Sequence, residues 1–305
     1  MRKFLILSMV IIIIMSLYAC SNEEQIDYKS FDQEMQKVYK ITENIELELS
    51  KINLVEISKL FDTEVDKNDI KKLKATERNI AEDIEPLIEE RKTTLKNIKP
   101  NNEEQKKLYQ MYEENVTDVD NTIQDIQEYI HAYNKIISSN EIIISLTEVI
   151  DSAKKEREDI INRVNKQGSS QEKKAIEELI EKINENNEKL NSKASKLSSG
   201  ELTGKAKEDY IENEIFPLLE SHISEINKNK ANSNSEKTLR DKTIEIYYTL
   251  KNYYSERKKM IQYSDLMQEI DIQPKLDIKK YATRLEESYH EKRKEYEESI
   301  GITKD

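Results

Sequence analysis

The stretch from Tyr109 to Ile137, YQMYEENVTDVDNTIQDIQEYIHAYNKII, decides the fold class. Its apolar residues recur at alternating steps of three and four without interruption: Tyr109, Tyr112, Val116, Val119, Ile123, Ile126, Ile130, Tyr133 and Ile137. This spacing is the heptad pattern of a helix that packs against other helices along one seam. The pattern extends to Ile144, with Asn140 in one core position, and predicts a helix roughly 54 Å long.

The rest of the chain shows the same helical spacing. Apolar stripes lie at Phe31–Ile52, Ile70–Ile98, Ile176–Leu197, Ile211–Ile226 and about Glu236–Glu269, and a last helix follows Pro274. Gly and Pro number only four each, and no segment of the sequence has the sustained alternation of a half-buried strand. These patterns predict an all-α fold, an elongated helical bundle or a set of antiparallel coiled-coil helices.

Breaks in the pattern divide the chain. We predict a helical unit over 28–167 and a second over 168–305, separated by KQGSS. The segments DIEPLIEE and EIFPLLES resemble one another at an offset of 131 residues, around Pro86 and Pro217. This resemblance is compatible with two tandem related units. Chance similarity between helices of biased composition explains it equally well, so duplication stays open at this point.

The N-terminus has the features of an export signal. Arg2 and Lys3 precede an apolar run of about a dozen residues, Phe4–Met15, which is shorter than the ~20 residues of a transmembrane helix. Residues 17–20, LYAC, resemble the bacterial lipobox, in which cleavage precedes a lipidated cysteine. We therefore predict a signal peptide over 1–19, a diacylglyceryl lipid on Cys20 and a tether over 20–27. The alternative is an ordinary signal peptide with a chance cysteine.

The composition excludes several kinds of function. Removal of Arg2 and Lys3 with the signal changes the formal net charge from -12 to -14, which argues against nucleic acid as a partner. Cys20 is the only cysteine, so a lipidated chain has neither a disulfide nor a thiol nucleophile. Carboxylates are too widespread to single out an acid and a base, and the sequence has no glycine-rich phosphate loop. We expect no enzymatic activity, and no cofactor apart from the lipid.

Two Glu-x-x-His pairs, Glu128/His131 and Glu287/His290, are the candidates for metal ligands. Di-metal helical bundles use such pairs, but there the side chains project into the core. The heptad places Glu128 and His131 on the outer face, and Glu287 and His290 lie off the apolar line of Ile278, Leu285 and Tyr289. Both placements predict solvated residues and no metal site. His222 lies close to the apolar stripe of its helix, and a buried structural histidine is the expected role.

The segment IEIYYTLKNYYSERKKMIQY carries a wide aromatic stripe. Tyr247 and Tyr254 form one of its rows, and the basic cluster Arg257, Lys258 and Lys259 follows. A stripe of this width indicates core and boundary positions, and this is the interpretation we favour. The alternative is an interaction surface formed by Tyr247, Tyr254, Arg257, Lys258 and Lys259.

Two resemblances add to these patterns. The lipobox together with Glu245-Ile246-Tyr247-Tyr248 resembles the staphylococcal EMYY-motif lipoproteins, with Ile in place of Met. The lysine- and glutamate-rich helices of the first half, including ATERNIAEDIEPLIEERKTTLKNIK, are similar to cell-wall-binding lipoproteins of bacilli. Neither resemblance implies an activity or catalytic residues.

Together the sequence predicts a lipoprotein anchored to the outer face of the cell membrane. We expect a non-enzymatic interaction or structural module whose partner is the membrane, the cell wall or another envelope protein. The alternative is a lipoprotein that holds a metal or small molecule between its helices. A wall or protein binder should expose a sizeable patch, whereas a ligand binder should enclose a pocket lined by convergent polar groups.

Overall fold

The computed structural model describes residues 2–61 and 65–302, with side chains from residue 24 onward. The described residues form helices and no strand, which confirms the predicted all-α fold. The helices are α1 (Arg2–Lys51), α2 (Leu54–Leu60), α3 (Lys67–Asn79), π1 (Ile80–Ile84), α4 (Glu85–Lys96), α5 (Glu103–Gln167), α6 (Ser170–Ser198), α7 (Gly204–Tyr210), π2 (Ile211–Ile215), α8 (Phe216–Asn227), α9 (Asn234–Glu269), α10 (Ile272–Lys275) and α11 (Ile278–Ser299).

The chain divides into two compact units. The first contains Met1–Ile130 and Asp271–Asp305, and the second contains His131–Ile270. This division differs from the predicted boundary at 167/168, because α11 packs with the first unit rather than the second. Gln25 Nε2 donates to the carbonyl of Ile300 at 2.7 Å, and the hydroxyl of Tyr28 donates to Glu297 at 2.6 Å. The last helix therefore closes the unit that the first helix begins.

The first unit is built on apolar stripes from α1, α4, α5 and α11. Its buried cluster consists of Tyr28, Phe31, Met35, Val38, Leu95, Ile98, Leu108, Tyr112, Val116, Tyr289 and Ile300. The second unit has a core of its own, formed by residues of α5, α6, π2, α8 and α9. Its buried cluster consists of Ile160, Val164, Ile176, Leu179, Ile183, Leu190, Leu197, Ile211, Ile215, Leu219, Ile226, Leu239, Tyr247 and Tyr254. Burial of these residues is the main stabilising contribution available to a chain without disulfides.

Each unit contains a five-residue π-helix directly before a proline-containing α-helix. The amide of Glu85 donates to the carbonyl of Ile80, and the amide of Phe216 donates to that of Ile211. Pro86 and Pro217 follow, where a missing N–H and the ring disfavour a regular α-helical bond. The wider π turn thus occurs at the place where α-helical bonding is interrupted.

The spacing of the buried residues gives a second reason for the π-helices. In the first unit Ile80, Ile84 and Ile88 are buried at successive steps of four. Each step of four over-rotates an ideal α-helix by about 40°, so two steps would move the stripe off the core. A π turn contains more residues and removes this drift. The second unit repeats the pattern at Ile211, Ile215 and Leu219.

The same offset of 131 residues relates the starts of α5 and α9. The amide of Asn101 donates to Gln105 at 2.9 Å, and the amide of Asn232 donates to Glu236 at 2.7 Å. In return, the amides of Gln105 and Glu236 donate to the side chains that precede each helix, those of Asn102 and Ser233. Matching π-helices, prolines, buried stripes and caps support the repeat suggested by the sequence. These features form a helical motif that occurs once in each unit.

The seam of α5 differs from the prediction beyond Ile130. Tyr112, Val116, Val119, Ile123, Ile126 and Ile130 are buried as predicted. Further along, Ala132 and Ser139 are buried, Ile137 is half-buried and Ile144 is 55% exposed, so the extension of the seam to Ile144 was wrong. The buried face changes at the residue where the first compact unit ends, since α5 serves a different core beyond it.

Candidate functional site

The first unit contains a cavity of about 210 Å³ between α1, α4, α5 and α11. The exposed residues Glu43, Glu46, Glu286 and His290 lie around it, and its deeper part is formed by buried residues, among them Arg91, Tyr112 and Tyr289. Helical spacing explains the arrangement, because α1 presents Tyr39, Thr42, Glu43 and Glu46 on one face and α11 presents Ala282, Glu286 and Tyr289. The cavity therefore combines an apolar wall with convergent polar groups.

Three tyrosines form the wall. The ring centroids of Tyr112 lie 5.3 Å from Tyr39 and 5.1 Å from Tyr289, and those of Tyr39 and Tyr289 are 6.0 Å apart, all edge to face. The hydroxyls of Tyr39 and Tyr289 form a hydrogen bond. Burial raises the pKa of Tyr289 to about 12 and raises the pKa values of Tyr39 and Tyr112 as well. All three phenols are thus protonated at neutral pH.

Arg91 is the most deeply buried charged group of the cavity, at 1% exposure. Its guanidinium pairs with Asp120 and donates to the hydroxyl of Thr42 at 3.2 Å, and that hydroxyl lies 2.7 Å from the hydroxyl of Tyr112. Burial raises the pKa of Asp120, and the positive charge of Arg91 opposes this effect. The Nε of Arg91 has no hydrogen-bond partner among the residues that the structure describes. A buried donor without a partner is costly, and this one belongs to a residue that lines the cavity.

Arg293 is the second cation of the cavity, and it is fully engaged by the protein. It pairs with Asp32 at 2.6 Å and with Glu297 at 3.1 Å, and its Nε donates to the hydroxyl of Tyr28 at 3.1 Å. Its guanidinium lies 5.4 Å from the ring centroid of Tyr39. These contacts hold α11 against α1 and fix the ring of Tyr39 at the cavity wall.

Carboxylates dominate the mouth. Partial removal of its carboxylate from water raises the pKa of Glu46, and the negative charges of Glu286 and Glu43 raise it further, with Arg91 opposing them. His290 lies 3.3 Å from the carboxylate of Glu286. The mouth thus carries negative charge that the neighbouring cations do not fully neutralise.

The second unit has a buried polar group at the place equivalent to Arg91. His222 is 2% exposed, as expected for a structural histidine, and its ring lies 5.5 Å from that of Tyr247. Within the described part of the chain, neither its ring nitrogens nor the hydroxyl of Tyr247 has a hydrogen-bond partner. Burial lowers the pKa of His222, and the charge of Lys189 lowers it further while Glu225 opposes the change.

The residues of the predicted interaction surface have different environments. Tyr247 and Tyr254 belong to the core of the second unit, as the favoured interpretation expected, so the alternative surface loses its two rings. Lys258 pairs with Glu212 at 2.8 Å and Lys259 with Glu256 at 2.7 Å, while Arg257 donates to the hydroxyl of Tyr253 at 3.1 Å. The basic cluster is thus already engaged within the protein.

The two Glu-x-x-His pairs are not alike. Glu287 and His290 are exposed as predicted, whereas Glu128 and His131 are half-buried, because the buried face of α5 changes next to them. His131 lies 6.0 Å from the ring of Tyr263. The described residues include no group of three or more potential ligands placed to hold a metal ion.

The predicted signal peptide, 1–19, and Cys20 lie outside the residues whose side chains the structure describes. Among the described residues, no helix combines the length and the apolar character needed to span a membrane. Sequence reasoning did not identify the cavity in the first unit, although one signal was available. Arg91 is a charged residue in an otherwise apolar stripe, between Leu87 and Leu95, and such a residue requires a buried partner.

A comparison with known protein families places the chain in one of them. The family described as EMYY-motif containing lipoprotein matches residues 1–297. Comparisons with curated proteins and with solved structures gave no match. Because the family match covers nearly the whole chain, the protein belongs to the EMYY-motif containing lipoproteins. The corresponding residues here, Glu245-Ile246-Tyr247-Tyr248, lie in α9, with Ile246 and Tyr247 in the interior.

Proposed function

We propose that this member of the EMYY-motif lipoproteins is a lipid-anchored receptor that binds a small molecule in the cavity of its first unit, without catalysis. The observation that carries the proposal is the cavity itself, a space of about 210 Å³ into which buried Arg91, three tyrosine rings and exposed carboxylates converge. This is the combination of apolar wall and few polar groups typical of ligand sites.

The absence of catalysis is part of the proposal. Within the cavity the two arginines are held by carboxylates, and the phenols are kept protonated by burial. An activated nucleophile needs a base or a lowered pKa, and these tyrosines have raised values. Such groups are suited to hold a ligand rather than to transform it.

The family and the N-terminal sequence support placement at the outer face of the membrane as part of this proposal. A lipoprotein is attached by its acyl chains. We propose that residues 17–20 are the lipobox and that Cys20 is the lipidated residue. Two acyl chains give stable attachment. Cys20→Ala should abolish labelling by a fatty-acid analogue in intact cells. Undiminished labelling of the variant would overturn the assignment of Cys20.

Ligand binding is tested by thermal shift of the purified full-length lipoprotein in detergent against a panel of small amines, carboxylic acids, sugars and nucleosides. At least one compound should raise the unfolding temperature of the wild type, because a ligand that binds only the folded state stabilises it. Ala282→Phe, which fills the cavity, should remove the shift. Ala175→Phe is the matched control, a half-buried helical alanine at a smaller cavity of the second unit. The absence of any shift across the panel would overturn the proposal.

An interaction with the cell wall or another envelope protein stays a prediction from the sequence. Crosslinking in intact cells followed by capture of the lipoprotein tests it directly. If the wild type and Ala282→Phe both capture wall fragments, or the same envelope protein, the interaction belongs to a surface other than the cavity.

A further inference from the structure

The charges around the cavity are unevenly distributed. Two arginines, Arg91 and Arg293, and three glutamates, Glu43, Glu46 and Glu286, line the cavity. Three more carboxylates, those of Asp32, Asp120 and Glu297, form ion pairs with the two arginines. The three glutamates lie at the exposed mouth and are held close enough to one another for Glu43 and Glu286 to disfavour ionisation of Glu46. The mouth therefore favours a positively charged group.

The wall next to this mouth is aromatic. Tyr39, Tyr112 and Tyr289 are in mutual edge-to-face contact, with ring centroids 5.1 to 6.0 Å apart. The faces of such rings attract cations, and they also accommodate the alkyl groups of an organic ammonium ion. A hydrated inorganic ion gains less from this wall, because it keeps its water. The combination selects an organic cation.

The buried end of the cavity has a hydrogen-bond donor that lacks an acceptor in the described part of the chain. Arg91 donates to Asp120 and Thr42, while its Nε has no acceptor among the described residues. Arginine has only donors, so the missing partner is an oxygen or another acceptor. An acceptor on the ligand would satisfy this buried donor and orient the molecule.

From these three observations we propose that the cavity binds a small organic cation that also carries an oxygen acceptor, such as an amino alcohol or an amino acid. The cationic group lies among Glu43, Glu46 and Glu286, and the acceptor lies toward Arg91. This inference rests on the proposed function, since it names the ligand class of the same cavity.

Three probes that share a similar shape but differ in charge test whether the cavity prefers a cation. Choline carries a quaternary ammonium and a hydroxyl, 3,3-dimethylbutan-1-ol is its neutral counterpart, and 3,3-dimethylbutyrate is an anion of similar form. Titration calorimetry of the full-length protein should show that choline binds at least about tenfold more tightly than the neutral alcohol, with no detectable binding of the anion. The preference should decrease as salt is added, since the carboxylates are exposed. Tetramethylammonium, which lacks the hydroxyl, should bind more weakly than choline.

Variants at the mouth complete the test. Glu46→Gln and Glu286→Gln should each weaken choline binding by about three- to tenfold and leave the neutral alcohol unchanged. Glu287→Gln is the matched control, because it is the exposed neighbour of Glu286 and does not line the cavity. Equal affinity for choline and the neutral alcohol, or preference for the anion, would overturn the inference while the cavity would still be a binding site. Absence of binding by these probes together with a hit only among the uncharged or anionic compounds of the panel would also overturn it. A negative result across the whole panel would overturn the proposed function itself.

Discussion

Arg91 and His222 lie 131 positions apart, and each is the seventh residue after the end of a five-residue π-helix. Both are buried in the core of their own unit, at 1% and 2% exposure. The repeated motif thus places a buried polar side chain at the same point of each unit, five residues after the proline.

The two positions differ in what surrounds them. Arg91 is paired with Asp120, whereas the counterpart of Asp120 at the same offset is Lys251, which pairs with Glu220 at the surface. A buried arginine in the second unit would therefore lack its carboxylate, and an uncharged imidazole is the better tolerated group. Both residues are buried at the same point of the repeated motif, but Arg91 lines a cavity, whereas His222 packs against the ring of Tyr247.

The first prediction concerns the buried ion pair. Asp120→Ala leaves the guanidinium of Arg91 buried with only Thr42 as a partner, and should lower the free energy of unfolding by about 3–5 kcal/mol. The double variant Arg91→Met/Asp120→Leu should recover much of this loss, since it removes both charges. Urea denaturation measures both. Lys92→Ala, which breaks the neighbouring exposed pair with Glu89, should cost less than about 0.5 kcal/mol. A double variant no more stable than Asp120→Ala would contradict this account of the pair.

The second prediction concerns Glu46, whose pKa is raised by burial and by Glu286 and Glu43. A raised pKa means that the folded state takes up the proton at higher pH than the unfolded chain, so ionised Glu46 costs stability at neutral pH. Glu46→Gln should stabilise the protein at pH 7 by less than about 0.5 kcal/mol, because the side chain is exposed. The difference should shrink as the pH falls and wild-type Glu46 becomes protonated. An advantage that grows toward acid pH would show that Glu46 is favourably paired in the folded state.

The fold class was predictable because it depends on local periodicity. Steps of three and four from Tyr109 to Ile130 identify a helix whatever it packs against, and the structure buries that seam from Tyr112 to Ile130. Beyond Ile130 the same steps failed, since the side of α5 that is buried is decided by distant segments. The partner of α1 was unpredictable for the same reason. Nothing near Tyr28 in sequence indicates that Glu297 accepts its hydrogen bond.

The cavity was not predicted because it consists of residues that each have an ordinary role in isolation. Tyr112 was correctly assigned to an apolar stripe, but a stripe does not reveal a gap between helices. Arg91 was the one sequence signal of this buried polar site, because a charged residue in an apolar stripe needs a partner such as Asp120. The sequence also contained a signal for the π-helices. In each unit three buried residues follow one another at steps of four, and the next buried residue comes three positions later.

The third prediction concerns His222, whose pKa is lowered by burial and by Lys189, with Glu225 opposing and the ring of Tyr247 alongside. A lowered pKa means that the unfolded chain binds the proton first. The stability contribution of neutral His222 is therefore complete above its ordinary pKa of about 6.5 and is lost as the pH falls below it. His222→Leu should flatten the decrease in stability between pH 7 and pH 5. His290→Gln, at an exposed position, should keep the wild-type slope. An unchanged slope in His222→Leu would show that other groups carry the acid dependence.

The last prediction separates the two adjacent tyrosines of the family motif. Tyr247 is 1% exposed and Tyr248 is 54% exposed, so the motif presents one ring to the core and one to solvent. Tyr247→Ala should cost about 3–5 kcal/mol, because it removes a buried ring and leaves a cavity beside His222. Tyr248→Ala should change stability by less than about 0.5 kcal/mol, as expected for an exposed site. Thermal and urea unfolding of the purified protein measure both.

Tyr247→Phe distinguishes the ring from its hydroxyl. Since no described residue accepts or donates a hydrogen bond at this buried oxygen, its removal should leave stability unchanged or slightly raised. A loss above about 1 kcal/mol would show that the hydroxyl has a partner, with Asn186 the nearest candidate, because the buried amide of Asn186 also lacks a hydrogen-bond partner in the described structure. Wild-type stability of Tyr247→Ala, together with loss of a partner captured in cells, would instead assign this ring to recognition and exclude it from the core.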